Sequence, residues 1–383
     1  MRVLVLVPTL YDTSPGQRFR IEQWARQLEN DGFRFEFMPF EDESLHRVIY
    51  QRARYVRKSV AVSRALARRF AVLSKVRQFD VVFLFREAAL VGPAIVERLI
   101  TRSGVPMVYD FDDPVWLSYR SPTNGAMSWL KFAGKTKAIC RLADRVIVGN
   151  RLLAGWAGKY AALVDVIPST IDHTEYAVRP ETKGGGRVTL GWTGSHSTLP
   201  FLQQIGTPLK ALAARYQLRL VVVSHTNDFR LESVPIKICA RRWRSDTEAE
   251  DLHDIDIGLA PFPNEGWTPW RCHGKVLQYM AAGIPCVASR IGVLPEYIRD
   301  GENGFLADTE EEWHQKIAAL IENENMRRRM GLAGRRTIEE KYSARVWAPR
   351  VREVLEAAAG GQFPPFRPGR NRLGRYGNSA VGT

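Results

Sequence analysis

The sequence contains no run of 18 or more apolar residues, which excludes a membrane-spanning helix. Nor is a secretion signal expected at its start. The opening MRVLVLVPTLYD has one basic residue and a short apolar stretch ending in turn residues, and it reads as a first buried strand. The expected location is therefore the cytoplasm. Cysteine is scarce: Cys140, Cys239, Cys272 and Cys286 lie far apart with no CxxC and no Cys/His ligand spacing. That pattern argues against a disulfide framework or a zinc site and for buried, reduced thiols. His273 beside Cys272 does not alter this, because neighbours on a helix point about 100° apart. Acidic residues are absent from two stretches. Between Ser44 and Phe79 there are ten cations (residues 47, 52, 54, 57, 58, 64, 68, 69, 75 and 77) and no acid. The tail adds Arg367, Arg370, Arg372 and Arg375, again without an acid. With a net charge of +14, this excess suits an anionic lipid surface, a phosphate-bearing substrate or nucleic acid. Helix-turn-helix, zinc and RNP-like motifs are all missing, so no nucleic-acid partner is expected.

What is present is a soluble-protein composition, 45% hydrophobic and 25% charged, in 383 residues, enough for two domains. Apolar runs VLVLV (3–7), FEFMPF (35–40), VVFLF (81–85), MVYDF (107–111) and VIVG (146–149) alternate with helical stretches such as 18–31 and 88–102. A second series follows: VTLGWTG (188–194), a helix near 198–215, LRLVVVS (218–224), DIGLAP (256–261), a helix near 271–282 and PCVAS (285–289). The alternation predicts an α/β fold of two Rossmann-like domains with parallel sheets. The expected divisions are 1–176, a linker at 177–187, 188–342, a helix at 343–359 crossing back to the first domain, and a disordered basic tail at 360–383. Ligands of such sheets bind beyond the carboxyl ends of the strands. The expected site is then a cleft onto which both domains present loops.

Arg271, Lys275, Gln278 and Ala282 are spaced as one face of the 271–282 helix, which Gly283 and Pro285 end. Cations in the first turns of a helix whose N-terminus already attracts anions suit a diphosphate. A glutamine one turn on suits paired hydroxyls such as those of ribose. The plainer alternative is the solvated face of an amphipathic helix. Around it stand DIGLAPFP (256–263), the loop Asn264-Glu265-Gly266, IGVLPE (291–296) and the turn DGENG (300–304).

The stretch from DIGLAPFPNEGW through GKVLQYMAAGIPCVASRIGVLPEYIRDGENGFL resembles the donor half of family-4-type, GT-B-fold glycosyltransferases. VIPSTID (166–172), GWTGSHST (191–198) and PGQRFR (15–20) extend the resemblance over most of the chain. The common family pattern has two glutamates eight residues apart, whereas here Gln278 takes the second position and Trp270 lies eight residues earlier. A branch with an acidic loop, a W-T pair, Lys or Arg, Lys and L-Q-Y-M-A is matched by Glu265, Trp267-Thr268, Arg271 and Lys275. The family's Arg/Lys pair after the first strand of this domain is missing. GWTGSHST offers hydroxyls, backbone N–H groups and His196 in its place. The resemblance thus implies that Arg271 and Lys275 neutralise the phosphates. It also implies a donor site made of Gly16, Trp192, Gly194, Ser195, Glu265, Arg271, Lys275, Gln278, Gly292 and Glu296, with Glu265 also a catalytic candidate.

In the first domain, PGQRFR (15–20) with Arg18, FLFRE (83–87) with Arg86 and VYDFDDP (108–114) with the acidic cluster Asp110, Asp112 and Asp113 each follow a different strand. Asp112 falls where many relatives carry a functional histidine, implying a catalytic or acceptor-binding role. A capping aspartate or a magnesium site are the alternatives. Arg18, Arg86, Asp110 and Asp113 are acceptor-side candidates, and Gly16 would let backbone approach the sugar or phosphate. The cationic segment 47–77 reads either as an interfacial helix pair on anionic lipid or as a solvated basic surface.

The resemblance implies sugar transfer from a nucleotide-diphosphate sugar to a lipid-linked or saccharide acceptor. Configuration would be retained, with no required metal or other cofactor, in cell-surface polysaccharide or glycolipid assembly at the inner face of the membrane. A nucleotide-sugar epimerase or hydrolase, and an inactive membrane-associated binding subunit, are the alternatives.

Overall fold

The computed structural model describes residues 1–51, 53–118, 125–178, 187–195, 197–225, 229–232 and 234–361. His196, most of the expected linker and nearly all of the basic tail lie outside them. The chain divides into two compact units, Met1–Ser169 with the chain from Trp347, and Thr170–Val346. Thr170–Tyr176 goes with the second unit through its hydrogen bonds. The Ile171 N–H donates to the Tyr342 carbonyl and the Ala344 N–H to that of Ile171. From Trp347 on, the helix Ala344–Ala359 belongs to the first unit, where Arg350 pairs with Asp165 at 2.7 Å.

The first unit holds strands β1 (Arg2–Val7), β2 (Arg34–Pro39), β3 (Val81–Phe85), β4 (Met107–Phe111), β5 (Arg145–Val148) and β6 (Val164–Val166). They pair in the order β2-β1-β3-β4-β5-β6, every pair parallel. VVFLF and MVYDF are buried at every position, as expected for strands covered on both faces. The stretch 88–102 is helical only over Ile95–Arg102. Before it, Gly92 and Pro93 turn the chain, and the Glu97 carboxylate accepts the Ala88 N–H.

The second unit holds β7 (Val188–Thr193), β8 (Leu218–Ser224), β9 (Lys237–Arg242), β10 (Ile257–Ala260), β11 (Cys286–Ser289) and β12 (Phe305–Ala307). Their order is β12-β11-β10-β7-β8-β9, also parallel throughout. Starting at β7 the chain builds outward to β9, then returns to the other side of β7 with β10. This is the doubly wound Rossmann order. Among the described residues no helix is long and apolar enough to cross a membrane.

Candidate functional site

In a doubly wound sheet the ligand crevice opens where the strand order reverses, beyond the carboxyl ends. In the second unit that point lies between β7 and β10. The Tyr279 hydroxyl marks it: it accepts the Thr193 N–H of β7 at 3.0 Å and lies 3.3 Å from the Gly191 and Leu259 carbonyls. The helix Gly274–Ala281, which connects β10 to β11, carries that tyrosine.

The helix differs from the sequence expectation in two ways. It begins at Gly274, after His273 at φ 47°, so Arg271 is not on its face. Arg271 has extended backbone, and its guanidinium lies over the Trp267 ring at 5.0 Å. Nor does the helix have a solvated side. Every residue from Lys275 to Ala281 is buried, because the helix is enclosed by its sheet and its neighbours. The polar-face alternative is thereby overturned.

Lys275 is the exceptional residue. It is 9% exposed, and among the described residues its ammonium has no hydrogen-bond partner. The Nζ sits 3.9 Å from the centroid of the Trp192 ring and 4.9 Å from that of Phe262. Burial, followed by the nearby Arg271 charge, drives its pKa well below the ordinary lysine value. Arg271 thus acts electrically on Lys275 although it is off the helix. Two more buried polar atoms at the same strand ends, Trp192 Nε1 and Ser224 Oγ, also lack partners among the described residues. Gly194 follows β7, and a Cβ there would lie 2.8 Å from the Trp192 ring and 3.1 Å from Lys275 Nζ. Only glycine leaves the approach to the ammonium open.

The other donor-side candidates surround this point in sequence and differ in burial. Ser195 Oγ lies 2.8 Å from Ser197 Oγ. Glu265 is exposed in the turn before Thr268, and its carbonyl accepts the Thr268 hydroxyl. Gly292 has φ 51°, and a Cβ there would meet the Pro269 carbonyl oxygen at 2.3 Å, which packs the 291–296 loop on the 268–270 turn. Glu296 is exposed. Gln278 is buried, with its amide nitrogen 3.5 Å from the Tyr176 hydroxyl. Tyr176, Glu248, Trp243 and Ser224 were not singled out from the sequence. They lie up to 102 residues from Gln278, and nothing local marks them.

In the first unit the order reverses between β1 and β3, and the loops there gather a second set of groups. Arg86 follows β3 at φ 58°. Its Nε and Nη2 donate to Asp112 Oδ1 at 2.9 and 2.7 Å, and Nη2 also donates to Asp113 Oδ2 at 2.7 Å. The Tyr109 hydroxyl donates to the Arg86 carbonyl at 2.8 Å and fixes that turn. A Cβ on Gly16 would fall 2.9 Å from both Arg86 Nη2 and Asp112 Oδ2. The PGQRFR loop therefore rests on the Arg86–Asp112 pair because residue 16 has no side chain. Arg18 pairs with Asp12 at 2.7 Å. Beneath it Glu22 accepts from Gln17 Nε2 at 2.6 Å and from the Asp12 N–H, and burial pushes its carboxyl up to about 7.

The acidic cluster divides. Asp112 and Asp113 belong to Arg86, but Asp110 points the other way and is fully buried. Asp110 accepts from Arg20 Nε at 2.7 Å and from Arg20 Nη2, while Arg20 Nη1 donates to the Ile167 carbonyl. A carboxylate with no exposed surface cannot meet an acceptor, so the acceptor-side expectation for Asp110 is corrected to a structural role.

Comparisons with known proteins agree with this architecture. Residues 275–337 match the family model described as glycosyl transferases group 1. D-inositol 3-phosphate glycosyltransferase of Segniliparus rotundus is 27% identical over 222 residues, covering 50% of this chain and 47% of that protein. N-acetyl-alpha-D-glucosaminyl L-malate synthase of Bacillus anthracis is 36% identical over 70 residues, 18% of either chain. The chain thus spans less than half the length of the curated relatives it matches. Among solved structures, sucrose-phosphate synthase from Thermosynechococcus elongatus superposes with a TM-score of 0.65 at 13% identity, covering 93% of this chain and 98% of that one. Anabaena HepE in complex with UDP and glucose gives 0.64 at 16% identity, covering 93% and 100%. The structural likeness establishes the fold. That fold is GT-B, and within it residues 275–337 are similar to the group 1 glycosyl transferases.

Proposed function

We propose that the chain transfers a sugar from a nucleotide-diphosphate sugar, held by the second unit, to a saccharide or lipid-linked acceptor, with retention of configuration. The observation that carries the reading is the buried ammonium of Lys275, without a hydrogen-bond partner among the described residues and set against the Trp192 ring at the end of β7. Leaving such a group unmatched is costly, and a diphosphate would match its charge. In the transfer the bond from the anomeric carbon to the diphosphate oxygen breaks and one to the acceptor oxygen forms. The leaving diphosphate gathers negative charge, which Lys275 and Arg271 offset. The acceptor hydroxyl loses its proton, and Asp112, held by Arg86, is the group assigned to orient or receive it. The UDP in the HepE complexes makes a uridine donor the first to test.

The test is a thermal-shift panel of UDP, GDP, ADP, TDP and their sugar conjugates. A ligand at a hundred times its dissociation constant adds about 2.7 kcal/mol of stability. One diphosphate raising the melting temperature names the base, and silence from all of them sinks the reading. A second measurement addresses the other unit. Asp112→Asn is expected to lower kcat by about 10²–10⁴-fold with donor binding and melting temperature little changed. Unaltered turnover would remove Asp112 from the chemistry.

Cell-surface assembly at a membrane is the finer part of the proposal, and one helix supports it. Tyr55–Val72 buries Lys58, Ala61, Ala65 and Arg69 and leaves Val56, Val60 and Phe70 exposed, with Arg57 and Arg64 exposed among them. Part of the basic segment is consumed internally. Arg69 donates to the Met38 and Val7 carbonyls, Arg68 pairs with Asp42 and Arg47 with Glu43. What stays outward, apolar side chains beside arginines, suits an anionic bilayer more than a nucleic acid. At about 1 kcal/mol per cation, Arg57→Gln/Arg64→Gln is expected to weaken binding to phosphatidylglycerol vesicles about thirty-fold in a sedimentation assay. Equal sedimentation of both proteins would assign the segment to plain solvation.

A further inference from the structure

We infer that Glu248 is a positioning residue that fixes the hydrogen-bonding sense of Gln278, so that the donor site selects a ribonucleoside. The inference rests on the nucleotide-sugar reading above. Glu248 opens the helix Glu248–Leu252 and is 2% exposed. Its two oxygens are taken by groups from distant parts of the chain. Oε1 accepts the Trp243 indole N–H at 2.8 Å, and Oε2 accepts the Tyr176 hydroxyl at 3.0 Å.

The consequence follows from donor and acceptor capacity. A carboxylate only accepts, so Tyr176 must spend its one proton on Glu248. The tyrosine oxygen is then left as an acceptor, and the side of Gln278 that meets it must be the NH₂. That is the arrangement found, with Gln278 Nε2 3.5 Å from the Tyr176 hydroxyl, the long end of a hydrogen bond. A free glutamine amide can flip. With its nitrogen committed, the Gln278 oxygen is the end left for a ligand, and an acceptor there recognises a hydroxyl donor. Carboxylate, phenol and amide form one polarised chain, in which each bond strengthens the next. The same carboxylate anchors Trp243, whose ring lies 5.1 Å from that of His225 with 35° between the planes.

The experiment is calorimetric titration of the full chain with UDP, 2′,3′-dideoxy-UDP and inorganic pyrophosphate, with the guanosine series in parallel. Wild type is expected to bind the ribonucleotide about tenfold more tightly than its dideoxy analogue. Glu248→Gln, which can donate to Tyr176 and reverse the chain, is expected to erase that preference while pyrophosphate affinity stays within about twofold. Tyr176→Phe keeps the ring packing and is expected to do the same, and it carries the test where Glu248→Gln loses the fold. The double variant is expected to be no worse than either single one. An unchanged ribose preference in both variants, or an equal loss for all three ligands, overturns the inference and leaves the nucleotide-sugar reading standing. If wild type bound none of the ligands, the nucleotide-sugar reading itself would fall.

Discussion

Binding of a nucleoside diphosphate is expected to be accompanied by proton uptake, and Lys275→Met is expected to weaken the binding and abolish the uptake. In the free protein Lys275 is buried without a hydrogen-bond partner among the described residues, and burial together with Arg271 depresses its pKa well below the ordinary lysine value. A diphosphate placed against it favours the charged form and raises that pKa again. Between the two values, binding therefore draws a proton from solution. Titration in buffers of different ionisation enthalpy reads this as a slope in the observed heat, and Lys275→Met should show none. Removing the cation from a desolvated charge pair costs about 2–5 kcal/mol, so affinity should fall by at least about thirty-fold.

The same residue makes an opposite prediction for stability. Because the folded-state pKa is lowered, the unfolded chain binds more protons between the lowered value and the ordinary 10.5. The free protein should accordingly gain stability as pH rises through that window, and the penalty is fully present below it. Lys275→Met removes the burial cost, so at neutral pH the variant should be more stable than wild type by about 1–3 kcal/mol. Loss of binding together with a gain in melting temperature would identify a group kept for function at the expense of the fold. A variant that lost both would show instead that Lys275 supports the structure.

The second large effect is expected in the first unit. Asp110→Ala takes from the fully buried Arg20, which lies against the Trp24 ring 4.6 Å away, the carboxylate that accepts from its Nε and Nη2. Breaking a buried pair in this way costs about 3–5 kcal/mol, against a typical total of about 5–15 kcal/mol. The variant should lose its first calorimetric transition or express poorly. Replacing both partners by apolar residues of similar volume, Arg20→Met/Asp110→Leu, should recover most of the loss. If Asp110→Ala melted like wild type while turnover fell, the structural assignment would be wrong and the acceptor-side role would return.

The sequence by itself determined the parallel two-unit α/β plan and nine of the twelve strands, but not β6, β9 or β12, which are short or charged and carry no long apolar run. Runs such as VVFLF and MVYDF are buried at every position, as strands covered on both faces are. It also determined the segment that the family model matches, because Lys275, Gln278, Gly283 and the 291–296 loop are close neighbours in the chain. Tertiary structure alone decided which charges are matched. Arg20 and Asp110 are 90 residues apart, so no local pattern could separate Asp110 from the adjacent Asp112. Helical spacing placed Arg271 on a face with Lys275. The left-handed turn at His273 breaks the helix between them, a backbone choice that helical spacing does not reveal. Periodicity shows that a position lies on a helix. Whether that position meets water, a counter-charge or neither is set by the segments folded over it, and at Lys275 those segments leave the ammonium buried and unmatched.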